Sequence, residues 1–327
     1  MKVDELRSVL SAYDAETLKE IIVMLYKTIP KGKKESDGLD EVIKDYSKEK
    51  VKEQKKPQTV DFPSLEYEIE QFIEYANMQY YLAPNRIISK AKRSKWRFEV
   101  KRFIKSLLDI RYENCEKAAG LLARIYEMLS YACNYYIFST ENPFSAVGYE
   151  QPELLRLTIG KILFCGVDQA SVREAVFLTL DSNVDRETLH IQLIYVLLSA
   201  LKTPEAKETA LEQCEAFYRD YDAFQAAKEC FRYSTRYDEY RNNMQMNCGV
   251  ELYLIIKISL YEYDDGIKYF WENYIEEKKE ISLYVLLTYY LSDDGLENLW
   301  IREYERAVAK KVKPREQLRE EYELRKK

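Results

Sequence analysis

The sequence predicts an all-α fold built from tandem helical hairpins, and three observations support that reading. Only nine Gly and eight Pro occur in 327 residues, against roughly 7% and 5% in average proteins, so tight turns and helix breakers are scarce. Apolar residues recur at helical spacing in one segment after another. Near the C-terminus, Asp264-Asp265-Gly266-Ile267-Lys268-Tyr269-Phe270-Trp271 and Asp293-Asp294-Gly295-Leu296-Glu297-Asn298-Leu299-Trp300 share the form DDG(I/L)xx(F/L)W. Such internal repetition is the mark of stacked supersecondary units.

In chain order, residues 1–46 read as a small helical unit. Asp14 is placed to cap a helix whose apolar stripe is Leu18, Ile21, Ile22, Leu25 and Tyr26, ended by Pro30 and Gly32. A second short helix is expected over Leu39 to Tyr46. In residues 47–63 lysine and glutamate are the commonest charged residues and two isolated valines are the only apolar ones before Phe62, too little apolar surface to order themselves, so the stretch reads as a charged linker. The body of helical repeats is expected over 64–311, followed by a charged helical tail over 312–327.

Within the body, the first helix starts at Ser64 and is expected to stop at Ala83-Pro84. The longest helical pattern is Glu116 to Phe138, in which Ala118, Leu121, Leu122, Ile125, Tyr126, Met128, Leu129, Ala132, Cys133, Tyr136 and Ile137 fill about half the circumference. Only Gly120, Arg124, Glu127, Tyr131 and Asn134 are left for water, so helices should cover it on two or three sides. Residues 139–152, with two prolines and a glycine, read as the longest irregular connection, pinned by Phe144. Helices over Pro152–Phe164, Gln169–Leu180 and Asp185–Leu201 follow, the last capped by Asp185. In the repeat, Leu254 pairs with Leu283, Ile258 with Leu287 and Tyr261 with Tyr290 at an offset of 29, while Tyr274 falls one residue from the register of Tyr304. Each unit is read as helix, Asp-Asp-Gly turn, helix, with glycine supplying the turn and an aspartate the cap.

Arg86 to Lys105 holds nine basic residues and one acid, Glu99, a local charge of +8 in a chain of net −6, which leaves −14 for the remainder. Helical periodicity gives a buried stripe of Trp96, Val100, Phe103, Ile104, Leu107 and Leu108. Opposite it lie Lys95, Phe98, Lys101, Arg102 and Lys105, a candidate polyanion-binding face, with a break in the helix expected near Ser94. Positive charge beside an exposed aromatic suits phosphates and unstacked bases. The competing reading pairs the same face with Glu66, Glu68, Glu70 and Glu74 of the preceding helix.

No glycine-rich phosphate loop, nucleophile elbow or metal motif is present. The six cysteines, Cys115, Cys133, Cys165, Cys214, Cys230 and Cys248, show no CxxC spacing and read as reduced structural thiols. The single histidine, His190, falls within an apolar arc and reads as a core residue. The start, MKVDELRSVL, has acids and no apolar core, and the longest apolar runs are well under the roughly 18 residues of a membrane span. A cytoplasmic, non-enzymatic protein without cofactor or metal is expected.

The segment from about 283 to 314 resembles a tetratricopeptide repeat. Tyr290 and Leu291 sit near that family's first-helix aromatic position, Tyr304 and Ala307 match its second helix, and Pro314 closes the unit two residues late. Trp300 stands where the family has a small residue, and the period of 29 is shorter than its 34. The resemblance implies an α-solenoid, a superhelix that binds proteins or peptides. The function expected is therefore an interaction or scaffold protein holding a protein segment in the groove of the array. The alternative is a nucleic-acid-binding accessory protein using residues 86–105.

Overall fold

The computed structural model describes residues 9–29, 34, 43, 61–221 and 236–326, and among them every regular element is helical. The chain divides into two units, Met1–Asp61 and Phe62–Lys327. In the first, α1 (Ala15–Thr28) begins where expected: Thr17 donates its backbone N–H to Asp14 Oδ1 at 2.7 Å. None of its side chains is buried, so the stripe of Leu18, Ile21, Ile22, Leu25 and Tyr26 is not a core face among the described residues. The expected second helix, but for Ile43, and the linker up to residue 60 lie outside those residues.

The second unit runs α2 (Phe62–Asn77), α3 (Lys90–Arg93), α4 (Trp96–Asp109), α5 (Cys115–Asn134), α6 (Pro143–Val147), α7 (Gln151–Cys165), α8 (Gln169–Leu180), α9 (His190–Ala200) and α10 (Pro204–Arg219). It continues with α11 (Arg236–Ser259), α12 (Tyr263–Asn273), α13 (Lys279–Val285) leading into a π turn (Leu286–Tyr290), α14 (Glu297–Ala309) and α15 (Glu316–Arg325). The principal packings join helices at most three places apart. Helices α2, α4, α6 and α7 pack on α5; α7 packs on α8 and α9; α8 packs on α9, α10 and α11; α9 and α10 also pack on α11, and α11 on α12; α14 packs on the π turn and α15.

Several boundaries differ from the sequence pattern. Helix α2 stops at Asn77, short of Ala83-Pro84, because Gln79 takes a left-handed backbone (φ 60°) and turns the chain. Helix α5 is covered on several sides as its wide apolar arc requires, but it ends at Asn134, and the longest described helix is α11. Tyr135 is extended, Tyr136 is 68% exposed instead of lying in the arc, and Ile137 and Phe138 are buried as the chain doubles back. A run of aromatic and β-branched residues is a poor helix former, and Phe138 is rewarded outside the helix by stacking on Trp96 at 3.9 Å with the rings 9° apart.

Residues 139–152 are not wholly irregular. Asn142 caps the short helix α6 through the Ser145 N–H, and Phe144 is fully buried beside Tyr126. Helix α9 starts at His190 and not at Asp185. Gln151 Oε1 accepts the Asp185 N–H at 2.9 Å, Asp185 Oδ1 accepts the Glu187 N–H, and the helix start is fixed instead by the Leu189 N–H donating to Gln192 Oε1 at 2.8 Å. That Gln151 also donates to the Asn183 carbonyl and to Tyr126 Oη, while Ser130 Oγ accepts the Asn183 N–H. A satisfied buried network thus fixes the α8–α9 connection onto α5 and α7.

The repeat is less regular than its sequence. Gly266 lies inside the first turn of α12, where a Cβ would come 2.8 Å from the Lys257 side chain, so glycine permits close approach of α11 and α12. Gly295 does supply a turn, with φ +96°. No aspartate caps either helix: Asp264 pairs with Arg302 at 2.7 Å, and Glu297 accepts the Gly295 N–H. Burial and stacking match at an offset of 30, not 29. Phe270 stacks on Tyr274 as Trp300 stacks on Tyr304, and Trp300 is fully buried where Trp271 is half-buried. The extra residue falls across the π turn, which holds one more residue than an α turn. The charged tail is docked, with Leu318 buried, Tyr322 stacked on Tyr304 at 4.3 Å and the Arg325 guanidinium 5.1 Å from the Trp300 ring.

Candidate polyanion interface

The basic surface is shaped by a turn and one helix. Asn85 Oδ1 accepts the N–H groups of Ile87 and Ile88, and its amide donates to the Tyr80 carbonyl. This asparagine-built turn presents α3, which ends at Ser94 where the break was expected. Helix α4 then divides as its periodicity requires. Trp96, Val100, Phe103, Ile104 and Leu107 are buried, Leu108 is only partly so, and Lys95, Phe98, Lys101, Arg102 and Lys105 are exposed.

The five exposed residues are not equivalent. Arg102 Nη2 is 2.6 Å from Glu68 Oε2 and 3.0 Å from Glu99 Oε2, and its guanidinium lies 4.6 Å from the Phe103 ring. Partial burial works against its charge, but the hydrogen bonds and negative charge of Glu68 and Glu99 outweigh that and raise its pKa. Arg102 is therefore a counter-ion to the protein's own acids. Of the acids expected to pair with this face, only Glu68 reaches it. Glu70 pairs with Arg124, and among the described residues neither Glu66 nor Glu74 holds a cation.

The lysines are different. Among the described residues no carboxylate forms an ion pair with Lys90, Lys92, Lys95, Lys101 or Lys105. The Lys101 ammonium lies against the end of α6, where a Cβ on Gly148 would come within 3.0 Å. Phe98 is 58% exposed with the Arg97 guanidinium 4.8 Å from its ring, and Ile87 is also exposed. Uncompensated ammonium groups around a bare aromatic suit phosphate or carboxylate groups attached to something flat or apolar.

No family model matches this sequence, and no curated protein or solved structure matches it either.

The remaining sequence candidates fall elsewhere. His190 is half-buried at the start of α9, and desolvation lowers its pKa to about 4, so its imidazole is neutral at pH 7. Cys214 and Cys248 are buried, Cys115 and Cys165 share a cleft, and Cys230 lies outside the described residues. No group of three or more His, Cys, Asp and Glu among the described residues is arranged to hold a metal, and no described helix is long and apolar enough to cross a membrane.

Two carboxylates, half-buried Glu251 and fully buried Glu303, escaped the sequence reading. Glu251 on α11 is held by the hydroxyls of Tyr274 and Tyr290, and burial lifts its pKa to about 7 despite those hydrogen bonds. Its signal was legible as a lone acid in the apolar run Val250 to Ile256. Glu303 on α14 is fully buried, accepts the Trp271 indole N–H at 3.1 Å and pairs with Arg302 at 3.2 Å. Nothing in its sequence neighbourhood distinguishes it from the exposed acids around it.

Proposed function

We propose that this protein is a non-enzymatic interaction protein, an α-solenoid-like array that binds a protein segment in its groove. The observation that carries the reading is the order of packing: from α2 to α15 the principal contacts link only helices at most three places apart in sequence. An array assembled from near neighbours presents a long surface instead of closing around one pocket. The stacked pairs Phe270–Tyr274 and Trp300–Tyr304, recurring at an offset of 30, agree with successive helical hairpins. The tetratricopeptide-like spacing of Tyr290, Tyr304 and Ala307 fits the same reading.

The test is affinity capture by the immobilised full chain from source-cell extract treated with nuclease, followed by binding of the captured protein in purified form. A purified partner that binds directly and crosslinks to residues 62–327 supports the reading. Retention only of nuclease-sensitive material overturns it.

A second reading, nucleic-acid binding through residues 86–105, is favoured by one observation: the exposed lysines Lys90, Lys92, Lys95, Lys101 and Lys105 lack acidic partners among the described residues beside exposed Phe98. Binding of that kind weakens steeply with salt because condensed counterions are released. A gel shift with single-stranded and duplex probes at low and moderate salt decides it, and no shift at low salt removes it.

A further inference from the structure

One cleft in the second unit lies outside the basic segment 86–105. It measures about 490 Å³ and lies where the N-terminus of α5 meets the C-terminus of α7, lined among others by Arg111, Tyr112, Lys117 and Phe164. Two cysteines line it from different helices, Cys165 half-buried and Cys115 buried. Cys115 is the first residue of α5 and Cys165 the last of α7. The other described cysteines, Cys133, Cys214 and Cys248, do not line this cleft.

We propose that Cys115 and Cys165 form an oxidisable dithiol, a modification site that closes to a disulfide joining α5 to α7 when a peroxide-class oxidant enters the cleft. In the first step one thiolate attacks a peroxide oxygen, the O–O bond breaks, water or an alcohol leaves, and the cysteine becomes a sulfenic acid. In the second, the other thiol displaces that hydroxyl as water and the S–S bond forms. Two thiols have then lost two protons and two electrons, and the peroxide has been reduced by two electrons.

The surroundings fit such a pair. The Cys115 thiol lies near enough to Cys165 to raise its pKa, and Cys165 Sγ donates to the Lys161 carbonyl at 3.3 Å. Burial first, then Cys115, pushes the Cys165 thiol up to about 11, so Cys165 is protonated near neutral pH. Lys161 favours a thiolate at Cys165 as it forms, and Glu116, which also lines the cleft, works against it. Helices α5 and α7 are directly packed, so the bond would join elements already in contact.

The experiment treats the full reduced chain with hydrogen peroxide at pH 7 and pH 9, then measures intact mass and maps peptides without reduction. The expected result is a mass lower by two hydrogens, a single peptide pair carrying Cys115 and Cys165, faster formation at pH 9, a raised thermal midpoint, and complete reversal by a dithiol reductant. In Cys115→Ser the cross-linked peptide vanishes and Cys165 gains oxygen instead. Unchanged mass, oxygen addition at both cysteines without a cross-link, or a cross-link between other cysteines each overturns the proposal. The peptide map of the unsubstituted chain decides even if the serine variants fail to fold.

Discussion

Arg102 on α4 reaches across to α2 and lies 2.6 Å from the Glu68 carboxylate, while Lys95 and Lys105 on the same helix have no acidic partner among the described residues. One helix face thus contains both an internal counter-ion and free positive charge. Arg102→Glu sets a carboxylate beside Glu68 and Glu99. The pair is about half exposed, so the cost in melting experiments is about 1 kcal/mol or less. Reversing Lys95 and Lys105 together leaves the melting midpoint unchanged, because no ion pair is broken. A large destabilisation by the lysine reversals would show that they hold the fold.

The two repeat tryptophans should respond unequally. Trp300 is fully buried with its indole N–H on the Leu287 carbonyl at 3.1 Å, and Trp300→Ala is expected to cost roughly 3 to 5 kcal/mol. Trp271 is half-buried, and its replacement should cost clearly less, since Glu303 keeps Arg302 when the indole is gone. Denaturant midpoints measured side by side give the answer. Equal losses would restore the 29-residue equivalence that the sequence suggests.

This inequality marks where sequence reasoning stops. Periodicity was enough to separate the buried Trp96, Val100, Phe103, Ile104 and Leu107 from exposed Lys95, Phe98 and Lys105, because one helix with one apolar face obeys a single period. It failed where a tertiary partner outweighed local pattern. Phe138 leaves the helical register to lie on Trp96, Asp185 is engaged by Gln151, and the π turn displaces Trp300 by one residue from the position of Trp271. The candidate site was legible as a charge cluster. Which of its cations were already spent on Glu68 and Glu99 depends on how α2 lies beside α4, and no spacing within α4 reveals it.

The half-buried Glu251 predicts a pH dependence. Its pKa is about 7 when folded against an ordinary 4.5, so the folded state holds the proton more tightly. The stability it contributes is complete below about pH 4.5 and is lost as pH rises through 7, a span of roughly 3 kcal/mol. His190 opposes it. With a folded pKa near 4 against 6.5, it favours the folded state above pH 6.5, and that contribution falls away toward pH 4. In Glu251→Gln the amide oxygen still accepts from Tyr274 and Tyr290, so urea midpoints should gain at pH 8 and decline more steeply than the parent's on acidification. Superimposable profiles for the two proteins would contradict this.

Phe144 tests whether residues 139–152 are held down by packing. Its ring is fully buried 5.5 Å from that of Tyr126, and α6 packs on α4 and α5. Phe144→Ala should lower stability by about 3 to 5 kcal/mol and expose these residues to protease before α5 is cut. Unchanged stability would mean that the connection is free to move and open to a functional role.

The central claim is that the helical array binds a protein segment, and the most direct measurement is titration of the purified captured protein against the full chain after nuclease treatment. The account predicts saturable binding that weakens only mildly with salt and survives reversal of Lys95 and Lys105. Loss of all binding on nuclease treatment, with a steep fall in nucleic-acid affinity as salt rises, would contradict it and assign the function to the basic face of α3 and α4.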